Sequence, residues 1–218
     1  MLLRLTKQAL SKVGTLVPNA ALNYLVVGRW MQDNGFQAIP RLPSKWRVFD
    51  QIASEVGEKR VLYLEFGVYK GWTMKYWSKV LRHRESHLHG FDSFEGLPED
   101  FVKDREKGVF STNGDLPKID DPRVQFFKGW FEQTLPTYEP PPHDQLIVNM
   151  DADLYSSTAF VLCQIRNLLK PGTYVFFDEF NNREHELRAF DEFRHKTGMP
   201  FSPVCATRTL EGVAFRVI

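Results

Sequence analysis

The sequence predicts a three-layer α/β sandwich built on a mostly parallel sheet, and three observations predict it. From residue 44 onward, short apolar runs alternate with stretches of helical period, the pattern of strands joined by crossover helices. Each apolar run delivers polar groups at its C-terminal end, where such sheets bind ligands. The last two runs stand close enough to pair as an antiparallel hairpin. At 218 residues the chain falls below the roughly 250 to 300 at which one core stops growing, so a single domain is expected.

Residues 1–57 read as a helical N-terminal segment and 58–218 as the α/β core. The opening stretch sets Arg4, Lys7 and Lys12 among its apolar positions, unlike a secretory signal, and Ala20 to Val27 is too short an apolar run to span a bilayer. A helix packed on the domain or on a second subunit is expected there, with an amphipathic membrane-surface helix as the alternative. Trp46, Phe49, Ile52 and Val56 recur at helical spacing after Pro43-Ser44, and Gly57 supplies a left-handed stop. Val61 to Phe66 is the first core strand, followed by a glycine turn and a helix expected to carry Trp72, Tyr76, Val80 and Leu81 on or near one face. Further strands are expected at Leu88 to Phe94, Val124 to Phe127, Leu146 to Met150 and Tyr174 to Phe177. The helix before the last of these has Ser156-Ser157-Thr158 as N-cap candidates, Val161, Ile165, Leu168 and Leu169 as its repeat, and Pro171-Gly172 as its stop. Glu184 to Lys196 follows as a helix with Leu187, Phe190 and Phe193 inward; Ser202 to Thr207 and Gly212 to Ile218 form the hairpin.

Residues 96–123 break this rhythm, being polar and far longer than the ~4 to 6 residues of an ordinary connection. They read as a lid docked through Phe101, Val102, Val109 and Phe110, or else as a surface insertion. The 28 Lys plus Arg balance 27 Asp plus Glu, so no strong field gathers nucleic acid or an anionic membrane, and a small-molecule partner is expected. Cys163 and Cys205 are too few for a disulfide scaffold and are expected to be reduced, buried thiols in a cytoplasmic protein.

The turn after the first core strand reads Glu65-Phe66-Gly67-Val68-Tyr69-Lys70-Gly71-Trp72-Thr73, which is not G-x-G-x-x-G. A carboxylate at Glu65 would repel a pyrophosphate but attract the amino group of S-adenosylmethionine, and glycines let the backbone approach a ligand. Asp92, at the end of the second core strand, is placed to accept both ribose hydroxyls, unless both acids merely cap helices. Trp130 and Phe131 are placed either to sandwich an adenine or to pack in the core. Asp151-Ala152-Asp153 and Asp178-Glu179 end adjacent strands, so several carboxylates face one crevice and need neutralising; a hard divalent cation, Mg²⁺ by preference, would do so. The bland alternative makes Asp178 and Glu179 loop and cap residues. The candidate catalytic groups are Asp151, Asp153 and His185, although a histidine flanked by Glu184 and Glu186 is also what a solvated helix start looks like.

Taken together, LEFGVYKGWT, GFDSFEGLPEDF, KGWFEQTLP, DADLYSST and FDEFNNREHELRAFDEF resemble the macrocin O-methyltransferase family, from Val61 to about Phe193. The resemblance implies a class I, Rossmann-like fold with a seven-stranded sheet, S-adenosylmethionine as donor, often an oligomer, and in some members Mg²⁺-dependent methylation of a sugar hydroxyl. Carried over by motif, Glu65, Gly67, Tyr69, Gly71 and Thr73 would line the methionine moiety, Asp92 and Ser93 the ribose, and Gly129 and Trp130 the adenine. Asp151 would border the donor and join Asp178 and Glu179 as metal ligands, with Glu179 standing where other members carry Asp. The rival reading is a metal-dependent glycosyltransferase using Asp151-Ala152-Asp153 as a D-x-D motif; a phosphatase and a catalytically dead scaffold stand further off.

Overall fold

The computed structural model describes residues 19–101 and 105–218. The basic positions Arg4, Lys7 and Lys12, and Val102 of the expected lid, lie outside the described residues. In chain order the elements are α1 (Asn19–Asp33), β1 (Arg41–Leu42), α2 (Lys45–Val56), β2 (Val61–Phe66), α3 (Trp72–Val80), β3 (His87–Asp92), β4 (Val124–Lys128), α4 (Phe131–Thr134), β5 (Gln145–Met150), α5 (Tyr155–Ile165) with a 3₁₀ turn at Arg166–Leu168, β6 (Tyr174–Phe177), α6 (Glu186–Thr197), β7 (Phe201–Thr207) and β8 (Val213–Val217).

The strands form one sheet in the order β1-β7-β8-β6-β5-β2-β3-β4. Pairing is parallel from β4 to β6, and β8 runs antiparallel to both β6 and β7. The five parallel strands and the hairpin make up the expected seven; β1 adds a two-residue edge, parallel to β7. Period-two alternation gives the sheet two apolar faces. In β2, Leu62, Leu64 and Phe66 meet residues of α1, α5 and α6, whereas Val61 and Tyr63 meet α2 and α3. That is the three-layer arrangement. Winding reverses between β2 and β5, so a crevice opens beyond their C-terminal ends.

The N-terminal helix packs on its own domain. Val27 and Met31 of α1 are buried, and Trp30 lies edge-on to Phe180 and Phe215 while its indole N–H donates to Asp191 Oδ1 at 2.7 Å. Among the described residues no helix is long and apolar enough to cross a membrane.

Three local expectations need correcting. The buried side of α3 is Thr73, Met74 and Trp77, with Leu81 just beyond it; Trp72 is 62% exposed, its ring turned to Tyr69 and Lys70 at the mouth of the crevice. Ser156, Ser157 and Thr158 lie within the first turn of α5 and none of them caps it: the N-cap is Leu154, which packs with Leu97 and Phe101. Cys163 is exposed, because it falls between Leu162 and the outward face of α5, while Cys205 is buried in β7.

Candidate functional site

At the switch point the chain passes very close to itself. Gly67, at φ +92°, brings the turn after β2 against the end of β5, where a Cβ would sit 1.8 Å from the carbonyl oxygen of Asp151. Only glycine fits there. Tyr69 and Asp153, on the two sides of this approach, also hold positive φ of 51° and 58°. Non-glycine residues adopt that conformation at a cost, and such strain gathers at functional sites.

A cavity of about 550 Å³ opens here. Of the residues expected to bind a donor, Gly67, Tyr69, Thr73, Asp92, Ser93, Gly129, Trp130 and Asp151 line it. Glu65 and Gly71 do not. Gly71 backs onto Pro117 of the 96–123 segment. Glu65 is buried behind the turn and accepts a hydrogen bond from Tyr63; burial pushes its carboxyl up to about 8. Asp92 Oδ2 accepts from the backbone N–H groups of Val68 and Tyr69 at 2.7 and 2.8 Å, and Oδ1 accepts from Phe94 N–H at 2.7 Å. The acid at the end of β3 thus pins the glycine turn as well as facing the cavity. Trp130 lies on the cavity wall, while the neighbouring Phe131 also packs edge-on against Phe66 of the core.

At the other end the expected acids do come together. Asp151, Asp153, Asp178 and Glu179 all line the cavity. Two basic residues that the sequence reading missed come with them. Lys45, in the first turn of α2, places Nζ 2.8 Å from Asp178 Oδ2 and 4.0 Å from Asp151 Oδ2. Arg105 places Nη1 3.1 Å from Glu179 Oε1 and 3.9 Å from Asp153 Oδ1. Burial alone would lower the Lys45 ammonium, but Asp178 and Asp151 outweigh it and hold it above the usual lysine range. Burial and the nearby Glu179 push the Asp153 carboxyl up to about 7, with Arg105 pulling the other way. Behind them the fully buried Glu186 accepts the backbone N–H of Glu179 at 2.9 Å and fixes that segment.

This arrangement does not fit the divalent cation implied for Asp151, Asp178 and Glu179. Among the described residues no group of three or more carboxylate, imidazole or thiolate side chains is placed to hold a metal ion. The carboxylates instead face Lys45 and Arg105. His185 departs from expectation too. It is not among the cavity-lining residues; its ring packs against Phe101 at 4.5 Å, and Nδ1 lies 3.3 Å from the backbone nitrogen of Tyr155. Burial lowers its pKa, which suits a packing role.

The 96–123 segment closes one side of the cavity through Gly96, Leu97, Pro98, Glu99, Arg105 and Phe110. Leu97 and Phe101 pack with Leu154, and Val109 and Phe110 lie against this small cluster. A second cleft of about 210 Å³ shares Arg105 and Glu179 with the first and is lined by Asn23, Tyr24, Phe101, Asn181 and Asn182.

Known proteins share this fold. The chain is 31% identical over 137 residues to the 8-demethyl-8-(2,3-dimethoxy-alpha-L-rhamnosyl)-tetracenomycin-C 4'-O-methyltransferase of Streptomyces olivaceus, covering 54% of this chain and 52% of that protein. It is 30% identical over 154 residues to the demethyldecarbamoylnovobiocin O-methyltransferase of Streptomyces niveus, covering 61% and 58%. The chain therefore spans about half the length of the curated relatives it matches. Among solved structures, the O-methyltransferase NovP superposes with a TM-score of 0.63 at 27% identity, over 79% of this chain and 78% of that one. The calicheamicin methyltransferase CalS11, at 21% identity, TM-score 0.60 and coverage of 78% and 76%, shares the fold. The sheet is that of class I O-methyltransferases. A model of the macrocin-O-methyltransferase (TylF) family matches residues 47–216, most of the chain, and the chain belongs to that family.

Proposed function

We propose that this chain is an S-adenosylmethionine-dependent O-methyltransferase acting on a hydroxyl of a glycosylated or otherwise polyhydroxylated small molecule. One observation carries the reading: a single cavity runs from the glycine turn and Asp92 at one end to a carboxylate cluster at the other. That places a cationic donor and a proton acceptor in the same enclosure. Glycosylated acceptors are named for the tetracenomycin-modifying relative. The second cleft supports the same chemistry here, because its amides and the Tyr24 phenol are uncharged groups able to pair with hydroxyls in both directions.

Methyl transfer is an in-line displacement. The acceptor oxygen attacks the methyl carbon, the carbon–sulfur electron pair goes to sulfur, and the hydroxyl proton goes to a carboxylate and then to solvent. Asp153 is the group suited to take that proton, being cavity-lining and poised near neutrality. The chain's further task is alignment, for which walls on several sides of the acceptor are worth more than any single contact. The glycosyltransferase reading of Asp151-Ala152-Asp153 is not favoured by the family. Cys163 and Cys205 are both free thiols, which supports a reducing, cytoplasmic setting.

Scanning fluorimetry with S-adenosylhomocysteine and UDP in parallel tests the assignment. The first is expected to raise the melting temperature and the second to leave it unchanged. A shift with UDP alone would replace the methyltransferase reading with the glycosyltransferase one.

A further inference from the structure

The side chain least explained by an ordinary donor site is Lys45. It reaches the carboxylate cluster from α2, which packs on the opposite sheet face from α1, α5 and α6, and it is 133 residues in sequence from Asp178, to which it donates. Among the described residues, Asp151, Asp153, Asp178 and Glu179 line this end of the cavity, and the basic residues lining it are Lys45 and Arg105. Each cation lies between two acids, Lys45 between Asp178 and Asp151 and Arg105 between Glu179 and Asp153. A Mg²⁺ ion binds carboxylate oxygen at roughly 2.1 Å. Placed against Asp178 Oδ2 on the side facing Asp151, it would have to displace the Lys45 ammonium, already at 2.8 Å.

We propose that Lys45 supplies the positive charge at this site, excludes divalent metal from it, and stabilises the acceptor oxygen as its proton leaves for Asp153. The inference rests on the O-methyltransferase reading for the chemical role alone. The exclusion of metal follows from the geometry whatever the acceptor is. An ammonium and a divalent cation do the same electrostatic work here: each offsets the repulsion among the acids and favours charge developing on oxygen. They differ in chelation. A lysine cannot be removed by EDTA.

The test is Mn²⁺ binding followed by the electron paramagnetic resonance signal of the free ion, with Mg²⁺ as competitor, on the parent protein, Lys45→Met and Lys45→Arg. The parent and Lys45→Arg are expected to leave Mn²⁺ free, because both keep a cation between Asp151 and Asp178. Lys45→Met keeps the length and loses the charge, so it is expected to gain Mn²⁺ affinity by at least about tenfold. Equal affinity in the parent and Lys45→Met would overturn the proposal, as would Lys45→Met that leaves Mn²⁺ free or Lys45→Arg that binds it. The parent measurement needs no variant to fold: tight binding of Mn²⁺ that Mg²⁺ displaces, lost in Asp178→Asn, would by itself defeat the proposal. S-adenosylhomocysteine is titrated by calorimetry into the same samples. Its failure to bind the parent would sink the methyltransferase reading and leave the metal result intact, while its binding to Lys45→Met shows that variant to be folded.

Discussion

Asp92 stands where three backbone N–H groups converge, and that limits what its carboxylate has left for a ligand. Of the roughly four lone-pair directions on a carboxylate, those facing Val68, Tyr69 and Phe94 are taken. One ribose hydroxyl is then accommodated more readily than the two the sequence suggests. Asp92→Ala is expected to weaken S-adenosylhomocysteine binding by about 2 kcal/mol or more, roughly thirtyfold, the scale of losing charge-assisted hydrogen bonds and a pinned turn. Calorimetry showing unchanged affinity would remove Asp92 from the site. This residue was legible in the sequence because an acid at a strand end behind a glycine turn is a local pattern. Lys45 and Arg105 were not legible. Neither belongs to a motif, and only the tertiary fold brings Lys45 to Asp178, 133 residues away, and Arg105 to Glu179, 74 residues away. His185 fits neither sequence reading, candidate base or solvated helix start, because its ring is taken up by Phe101.

Among the elements, the 96–123 segment is tied down by its own backbone. Leu97 N–H donates to Val109 at 2.9 Å, Gly108 N–H to Leu97 at 2.9 Å, and the N–H groups of Thr112 and Gly114 both reach the Phe94 carbonyl. Hydrogen exchange in the described part of this segment is therefore expected to be partly protected without ligand and to slow further with S-adenosylhomocysteine, as a lid closing on its donor would. Equal exchange with and without ligand would reduce it to a docked surface loop. Strand positions were the most legible elements, since a run such as Tyr174 to Phe177 is apolar on both faces and leaves little ambiguity. Helix faces were less so. In α3 both Trp72 and Trp77 satisfy a helical apolar pattern, and the sequence does not say that the turn before the helix would rotate Trp72 towards Tyr69 and give the core to Trp77. The start of α5 was obscured likewise: Leu154 holds the N-cap position ahead of the serines and packs with Leu97 and Phe101 of the 96–123 segment.

For the molecule as a whole, the buried Glu65 makes stability depend on pH in an unusual direction. Its folded-state pKa is raised from 4.5 to about 8, so the folded protein keeps a proton that the unfolded chain releases. That contribution is fully present below the unfolded value and is lost as pH rises towards the folded one, with a slope of up to about 1.4 kcal/mol per pH unit. Glu65→Gln still accepts the Tyr63 hydroxyl but cannot ionise. Its stability relative to the parent is expected to grow between about pH 5 and 8 and then level off, read from urea midpoints across that range; parallel curves would show that Glu65 does not titrate this way. Asp153, raised to about 7, adds a second loss in the same window that the variant retains. The placement of β8 has a consequence for how the sheet holds together. Residues 213–217 do not extend an edge but fill the slot between β6 and β7. Without them β7 has no neighbour on the β6 side, and Trp30 of α1 lacks the Phe215 ring it rests on. Five residues near the end of the sequence thus work as a keystone, and removing them would leave a divided sheet with two unpaired edges in its interior.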